Sequence, residues 1–161
     1  MPSNIFKRRD MATAAYDDNL KTQLQSYLQN LRQPIQLIAT LDDSDSSAEL
    51  RELLQDIVGL SDKVRLDESG TDARKPSFVI AKQGETRGVR FAAIPMGHEF
   101  TSLVLALLHV GGHPLKLEAE KIAQIAALEG QFAFETFISL SCHNCPEVVQ
   151  ALRKAGGQIR A

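Results

Sequence analysis

The sequence predicts an α/β fold in which an early strand–helix–strand unit pairs in parallel and a second, shorter copy of the pattern follows. Two kinds of segment carry this prediction: stretches with apolar residues at helical spacing, and short apolar blocks of strand length. The pattern restarts after a stop signal, "GGHP", at residues 111–114. With 161 residues, 43% of them apolar, the chain is long enough for one ordinary domain or two very small ones.

Composition excludes several classes of function. The formal net charge is -2 with acids and bases interspersed, so the chain lacks the basic footprint of a nucleic-acid binder. The longest apolar run, "FTSLVLALLHV", is about half of the roughly 20 residues that cross a bilayer, so no membrane contact is expected. The first residues do not have the order of a secretory signal, which predicts a cytoplasmic protein. Residues 1–16 are polar and aperiodic, which predicts a disordered extension.

The first copy opens with a helix, a strand and a second helix. Leucines at helical spacing, preceded by acids, predict a helix over 17–31. The apolar run 34–41 is bounded by a proline and by "DDSDSS", which favours a buried strand. Serine and acid then precede a second helical pattern over 46–60, as helix capping requires.

Three short strands and a helix complete the first copy. Turn-rich segments separate the apolar runs 63–67, 77–82 and 88–94, each of which is too short for a helix. A helix is predicted from about His98 to Val110, because an acid stands in its first turn and glycines and a proline follow. The first unit therefore covers residues 17–112.

The second copy, over 113–161, is incomplete. It shows a helix at 116–130, an apolar and aromatic strand at 131–140, and a helix opening at 142. A parallel sheet normally has both faces covered, so the missing elements belong either to another chain or to a longer protein of which this chain is a truncated version. The open sheet edge predicts that the chain self-associates.

The two cysteines of the chain, Cys142 and Cys145, stand in "SCHNCP" at the start of the last predicted helix. The spacing puts both in the first helical turn, where free amides and the helix dipole favour thiolate. Cys142, nearer the helix end, is predicted to be the nucleophile that forms a mixed disulfide. Cys145 is then the resolving thiol that closes the intramolecular disulfide.

The neighbours of the cysteines have supporting functions in this interpretation. His143 raises the local positive charge when it is protonated, and Asn144 provides turn chemistry. Pro146 lacks an amide hydrogen at a position where the helix does not need one, and it stiffens the backbone behind the pair.

Other interpretations of the same residues stay open. The cysteines are an inert buried pair or short-loop disulfide in one of them, and half of a zinc site completed by His109 and His113 in another. Glu99 is either an acid that stabilises a helix start or a proton acceptor for a thiol. Glu135, inside an apolar strand, is a lesser candidate for that proton transfer.

The chain resembles the N-terminal domain of the alkyl hydroperoxide reductase F subunit, a flavoprotein that reduces a peroxiredoxin. The resemblance runs from Leu20 to Leu152 and rests on long stretches: "LKTQLQSYL", "LIATLDDS", "ARKPSFVI", "GHEFTSLVLALL", "GGHP" and "SLSCHNCPEVVQAL".

This resemblance implies two fused thioredoxin-like folds, the first complete and without cysteines, the second incomplete and carrying the C-x-x-C pair. It also implies that the pair passes electrons from a module binding FAD and NADH to the disulfide of a peroxiredoxin, the reductase's C subunit. That flavin module is absent from this chain, so no cofactor or metal is expected on it. The glutamate of "GHEF", Glu99, is implied to be an acid–base group for the cysteines.

Overall fold

The computed structural model describes residues 18–114, 118–130, 134–139, 141–154 and 159–160. The extension predicted at 1–16 lies outside the described residues. No described helix is long and apolar enough to span a membrane.

Helices and strands follow one another in the order that the sequence predicts, apart from a short last strand that it does not predict. The helices are α1 (Asp18–Leu28), α2 (Asp45–Gly59), α3 (Phe100–Val110), α4 (Ala119–Ala126) and α5 (Cys145–Lys154), and a 3-10 turn (Gly97–Glu99) precedes α3. The strands are β1 (Ile35–Thr40), β2 (Val64–Asp67), β3 (Ser77–Lys82), β4 (Gly88–Phe91), β5 (Phe134–Glu135) and β6 (Ile159–Arg160).

The described strands form one sheet in the order β2-β1-β3-β4-β6-β5. β1 and β2 run parallel, with Ile35 opposite Val64, which confirms the predicted parallel strand–helix–strand unit. β3 runs antiparallel to both β1 and β4, and β6 runs parallel to β4 and to β5. The incomplete second sheet expected from the sequence is thus a continuation of the first across residue 112. The division of the chain at that residue stays a prediction.

Several element boundaries differ from the sequence-based prediction. α1 ends at Leu28, where a turn begins, although Leu31 is still buried. β4 ends at Phe91, the last residue paired with β3, instead of continuing to 94. α4 is shorter at both ends than 116–130. Of the strand predicted at 131–140, the described part has strand structure only at Phe134–Glu135, and 136–139 have none.

The hydrophobic core lies between the sheet and the helices of the first unit. Phe78 and Phe91 stack across β3 and β4 with ring centroids 5.4 Å apart. Leu103 and Leu107 of α3 are fully buried, as expected of the apolar run in that helix. α4 buries none of its side chains, whereas α5 buries Val149. The apolar burial that stabilises the fold is therefore concentrated in the first unit.

A polar cluster fixes the start of α2 at the carboxyl end of β1. The Ser44 hydroxyl caps the helix by accepting from the Ser47 amide. The Asp42 carboxylate accepts from the Ser44 amide and hydroxyl and from the Ser47 hydroxyl. The hydroxyls of Ser44 and Ser47, followed by the Ser44 amide, lower the pKa of Asp42 to about 2. The sequence therefore builds a self-contained helix cap from "DDSDSS".

Substituting Asp42 tests the contribution of this cap to stability. Since the folded-state pKa lies below the ordinary value of 3.8, the ionised carboxylate stabilises the fold above about pH 4 and loses that effect as the pH falls toward 2. We expect Asp42→Asn to unfold at lower denaturant concentration than the parent at pH 6, with the difference shrinking toward pH 2. Chemical denaturation across this range measures it. Asp43→Asn, an exposed neighbour, is the control, and an equal pH-dependent loss in both variants would contradict the assignment.

Candidate active site

The two cysteines lie at the turn that leads into α5. Cys145 is the first residue of the helix, whereas Cys142 precedes it and donates its amide to the Ser139 carbonyl at 2.9 Å. The predicted placement of both cysteines in the first helical turn is therefore wrong for Cys142. The turn still directs the two thiols together. Both are free and partly exposed.

The pKa values of the two thiols are shifted in opposite directions. The Cys145 thiol donates to the Cys142 sulfur and lowers the pKa of Cys142, and the amides of Asn144 and Cys145 lower it further. The same thiol–thiol hydrogen bond raises the pKa of Cys145, and partial burial adds to the rise. Thiolate at Cys142 is thus favoured by its partner first and by the helix-end amides second.

The 3-10 turn before α3 brings a carboxylate to the thiols. α5 packs against both this turn and α3. Glu99 is fully buried there, and neither of its carboxylate oxygens has a hydrogen-bond partner among the described residues. Its negative charge raises the pKa of Cys142 and of Cys145. Residues far apart in sequence therefore form one electrostatic unit.

A ring contact joins the same turn to the dithiol loop. The imidazoles of His98 and His143 lie with their centroids 4.3 Å apart and their planes inclined by 58°. The sequence places His143 beside the cysteines, but at His98 it predicts only the start of a helix. The position of His98 next to Glu99 is the one signal that could have pointed to it.

The remaining predicted neighbours are placed around the loop. The Asn144 side chain is exposed, and its amide contributes to the pKa of Cys142. Pro146 is the second residue of α5, which is the first-turn position predicted for it.

The zinc site and the proton transfer by Glu135 have less support than the interpretation of the cysteines as a reactive dithiol. Among the described residues no group of three or more histidines, cysteines and acids could hold a metal. Glu135 forms an ion pair with Arg74, which precedes β3. An ion-pair partner explains an acid in an otherwise apolar strand without a catalytic function.

Comparison with known proteins identifies close relatives, although no family model matches the chain. The chain is 64% identical over 136 residues to the alkyl hydroperoxide reductase F subunit of Pseudomonas aeruginosa and 58% identical over 137 residues to that of Escherichia coli. Each alignment covers 84% of this chain and 26% of the relative, so the chain spans about a quarter of the length of these relatives.

Solved structures agree with these sequence relatives. The NTD_N/C domain of the Enterococcus faecalis alkylhydroperoxide reductase AhpF has a TM-score of 0.77 and 30% identity, covering 89% of this chain and 78% of that one. A protein disulfide oxidoreductase from Aeropyrum pernix has a TM-score of 0.69 at 22% identity, covering 90% and 75%, which bears on the fold alone. The thioredoxin-like fold class predicted from the sequence is confirmed.

Replacing the resolving thiol tests the origin of the low pKa of Cys142. Cys145→Ala removes the thiol donor, so we expect the pKa of Cys142 to rise and its alkylation at neutral pH to slow about tenfold, the effect of losing one hydrogen bond to a charged acceptor. Cys145→Ser keeps a donor and serves as the matched control. Alkylation rate against pH measures both variants, and equal profiles would contradict the thiol–thiol hydrogen bond.

Neutralising Glu99 tests its electrostatic link to the thiols. Glu99→Gln removes a charge that raises the pKa of both thiols, so we expect each to become more reactive at neutral pH by roughly threefold. Cys142 is followed in a Cys145→Ser background and Cys145 in a Cys142→Ser background. Glu147→Gln, an exposed acid in the first turn of α5, is the control. Unchanged profiles for both thiols would place Glu99 outside the site.

Proposed function

Because the chain belongs to the family of the N-terminal domain of the alkyl hydroperoxide reductase F subunit, a family of oxidoreductases, we propose that it relays electrons by thiol–disulfide exchange. The electrons come from a flavin module that uses NADH and go to the disulfide of a peroxiredoxin. Neither partner is part of this chain, which spans about a quarter of the length of its relatives. FAD and NADH belong to the module outside it.

The opposite pKa shifts of Cys142 and Cys145 are the observation that carries this proposal. Thiol–disulfide exchange needs one thiol that attacks as thiolate and a second that stays protonated until the mixed disulfide has formed. The hydrogen bond from Cys145 to Cys142 produces both conditions at once. An inert pair would have no need of this asymmetry.

The first step is attack by the Cys142 thiolate on the partner disulfide. A bond forms between the Cys142 sulfur and one partner sulfur, and the other partner sulfur leaves as a thiolate. The amides of Asn144 and Cys145 stabilise the thiolate before it attacks. Once Cys142 is bound in the mixed disulfide, its sulfur no longer carries the negative charge that raised the pKa of Cys145.

The second step requires Cys145 to lose its proton, and Glu99 is the proposed acceptor. The Glu99 carboxylate is fully buried, and neither of its oxygens is engaged in a hydrogen bond among the described residues, so both are available to accept the proton. The Cys145 thiolate then attacks the Cys142 sulfur and expels the second partner thiolate. Two electrons pass to the partner, which leaves as two thiolates, the proton of Cys145 remains on Glu99, and this chain is left with a disulfide for the flavin module to reduce.

The competing function is a docking or dimerisation module in which the cysteines are vestigial. It predicts partner binding that is unchanged when both cysteines are replaced by serine. The pKa asymmetry favours the relay, since vestigial thiols do not require distinct electronic environments. Self-association and a cytoplasmic location also stay predictions.

Trapping a mixed disulfide tests the relay. The reduced Cys145→Ser variant, mixed with an oxidised peroxiredoxin of the same organism, is expected to accumulate a covalent adduct through Cys142, because the resolving thiol is missing. Non-reducing electrophoresis and mass spectrometry identify the adduct. Cys142→Ser is the matched control and is expected to give far less. Absence of an adduct through Cys142 would exclude the relay.

A further inference from the structure

The contact between His98 and His143 is not used by the steps above. The 3-10 turn directs two consecutive side chains to different surroundings, because Glu99 is fully buried whereas His98 is exposed. The exposed ring meets His143, the residue that follows Cys142. The 3-10 turn therefore interacts with the dithiol loop in two ways: the Glu99 charge acts on both thiols, and the His98 ring contacts His143.

The dithiol loop has few other anchors between the two cysteines. The side chains of His143 and Asn144 are exposed and make no hydrogen bond among the described residues. The amide of Cys142 is held by the Ser139 carbonyl, but that bond lies before the loop. Within the described part of the chain, the ring contact is thus the side-chain interaction that ties His143 to the rest of the fold.

The ring contact is made by the residue whose peptide bond to Asn144 lies next to the reactive sulfur. The carbonyl carbon of His143 and the amide nitrogen of Asn144 belong to one rigid peptide plane. That amide is one of the groups that favour thiolate at Cys142. A hydrogen bond weakens steeply when its angle departs from linearity. The orientation of this plane therefore governs the strength of the hydrogen bond from the Asn144 amide to the Cys142 sulfur.

We propose that His98 is a positioning residue for the dithiol: its ring holds the His143 ring, and thereby the Asn144 amide, in the orientation that stabilises the Cys142 thiolate. The proposal rests on the proposed function only in taking Cys142 as the reacting thiol. His98 acts on the sulfur through His143. The interaction is one of ring packing, so an aromatic side chain of similar shape performs it.

A positioning residue affects the reactivity of Cys142 but contributes little to the free energy of unfolding. Both rings are exposed, so their contact buries little apolar surface and contributes little to the free energy of unfolding. Loss of the His98 ring therefore affects the loop and leaves the core in place.

The experiment compares three variants in a Cys145→Ser background, which leaves Cys142 as the one thiol. Alkylation of Cys142 by iodoacetamide is followed across pH, and thermal unfolding is measured in parallel. We expect His98→Ala to slow alkylation at neutral pH about threefold, the worth of one aromatic contact, and to move the pH profile to higher pH. His98→Phe is expected to restore the parental profile. His113→Ala, a partly buried histidine beyond α3, is the matched control and should leave the profile unchanged.

Three results would overturn the proposal. These are a parental profile for His98→Ala, a His98→Phe profile no better than that of alanine, and a large drop in the unfolding temperature of His98→Ala. The alkylating reagent replaces the peroxiredoxin, so a failure to trap the mixed disulfide would reject the proposed function and leave this test standing. A parental alkylation profile for His98→Ala together with normal adduct formation would reject the positioning proposal and leave the proposed function standing.

Discussion

The packing of α5 against α3 and the preceding 3-10 turn is the contact on which the site depends. Val149 of α5 is buried, with 1% of its surface exposed. The packing of α5 accompanies the action of the Glu99 charge on both thiols and the contact of His98 with His143. Without it the first unit would contribute nothing to the chemistry of the dithiol.

Two opposed influences act on Cys142, and the hydrogen-bond donors win. The Cys145 thiol and the amides at the helix start favour the thiolate, while partial burial and the Glu99 charge oppose it. Hydrogen bonds to an anion are short and directional, whereas a charge acting through a longer path is screened. The net result is a lowered pKa for Cys142 next to a raised one for Cys145, as the proposed relay requires.

The two parts of the chain on either side of residue 112, the predicted first and second units, are packed to different degrees. The first unit has a continuous core from Leu24 to Val110, and a polar cap around Asp42 fixes the start of α2. In the second unit α4 buries no side chain, and Ile122 and Leu128 are 48% and 62% exposed. The dithiol loop therefore lies in the less densely packed part of the chain and contacts the better-packed part through α5 and His98.

The sequence by itself determined the elements of the first unit, the parallel pairing of β1 with β2, the dithiol with its helix start, and the family. These follow from local signals: periodicity, caps such as "DDSDSS", and the spacing of Cys142 and Cys145. Only the tertiary structure decided that the second unit extends the first sheet, that Cys142 lies before the helix, and that Glu135 pairs with Arg74. It also decided that Glu99 and His98 meet the dithiol loop. Those contacts join residues distant in the chain, and no local pattern encodes a distance between elements that only packing brings together.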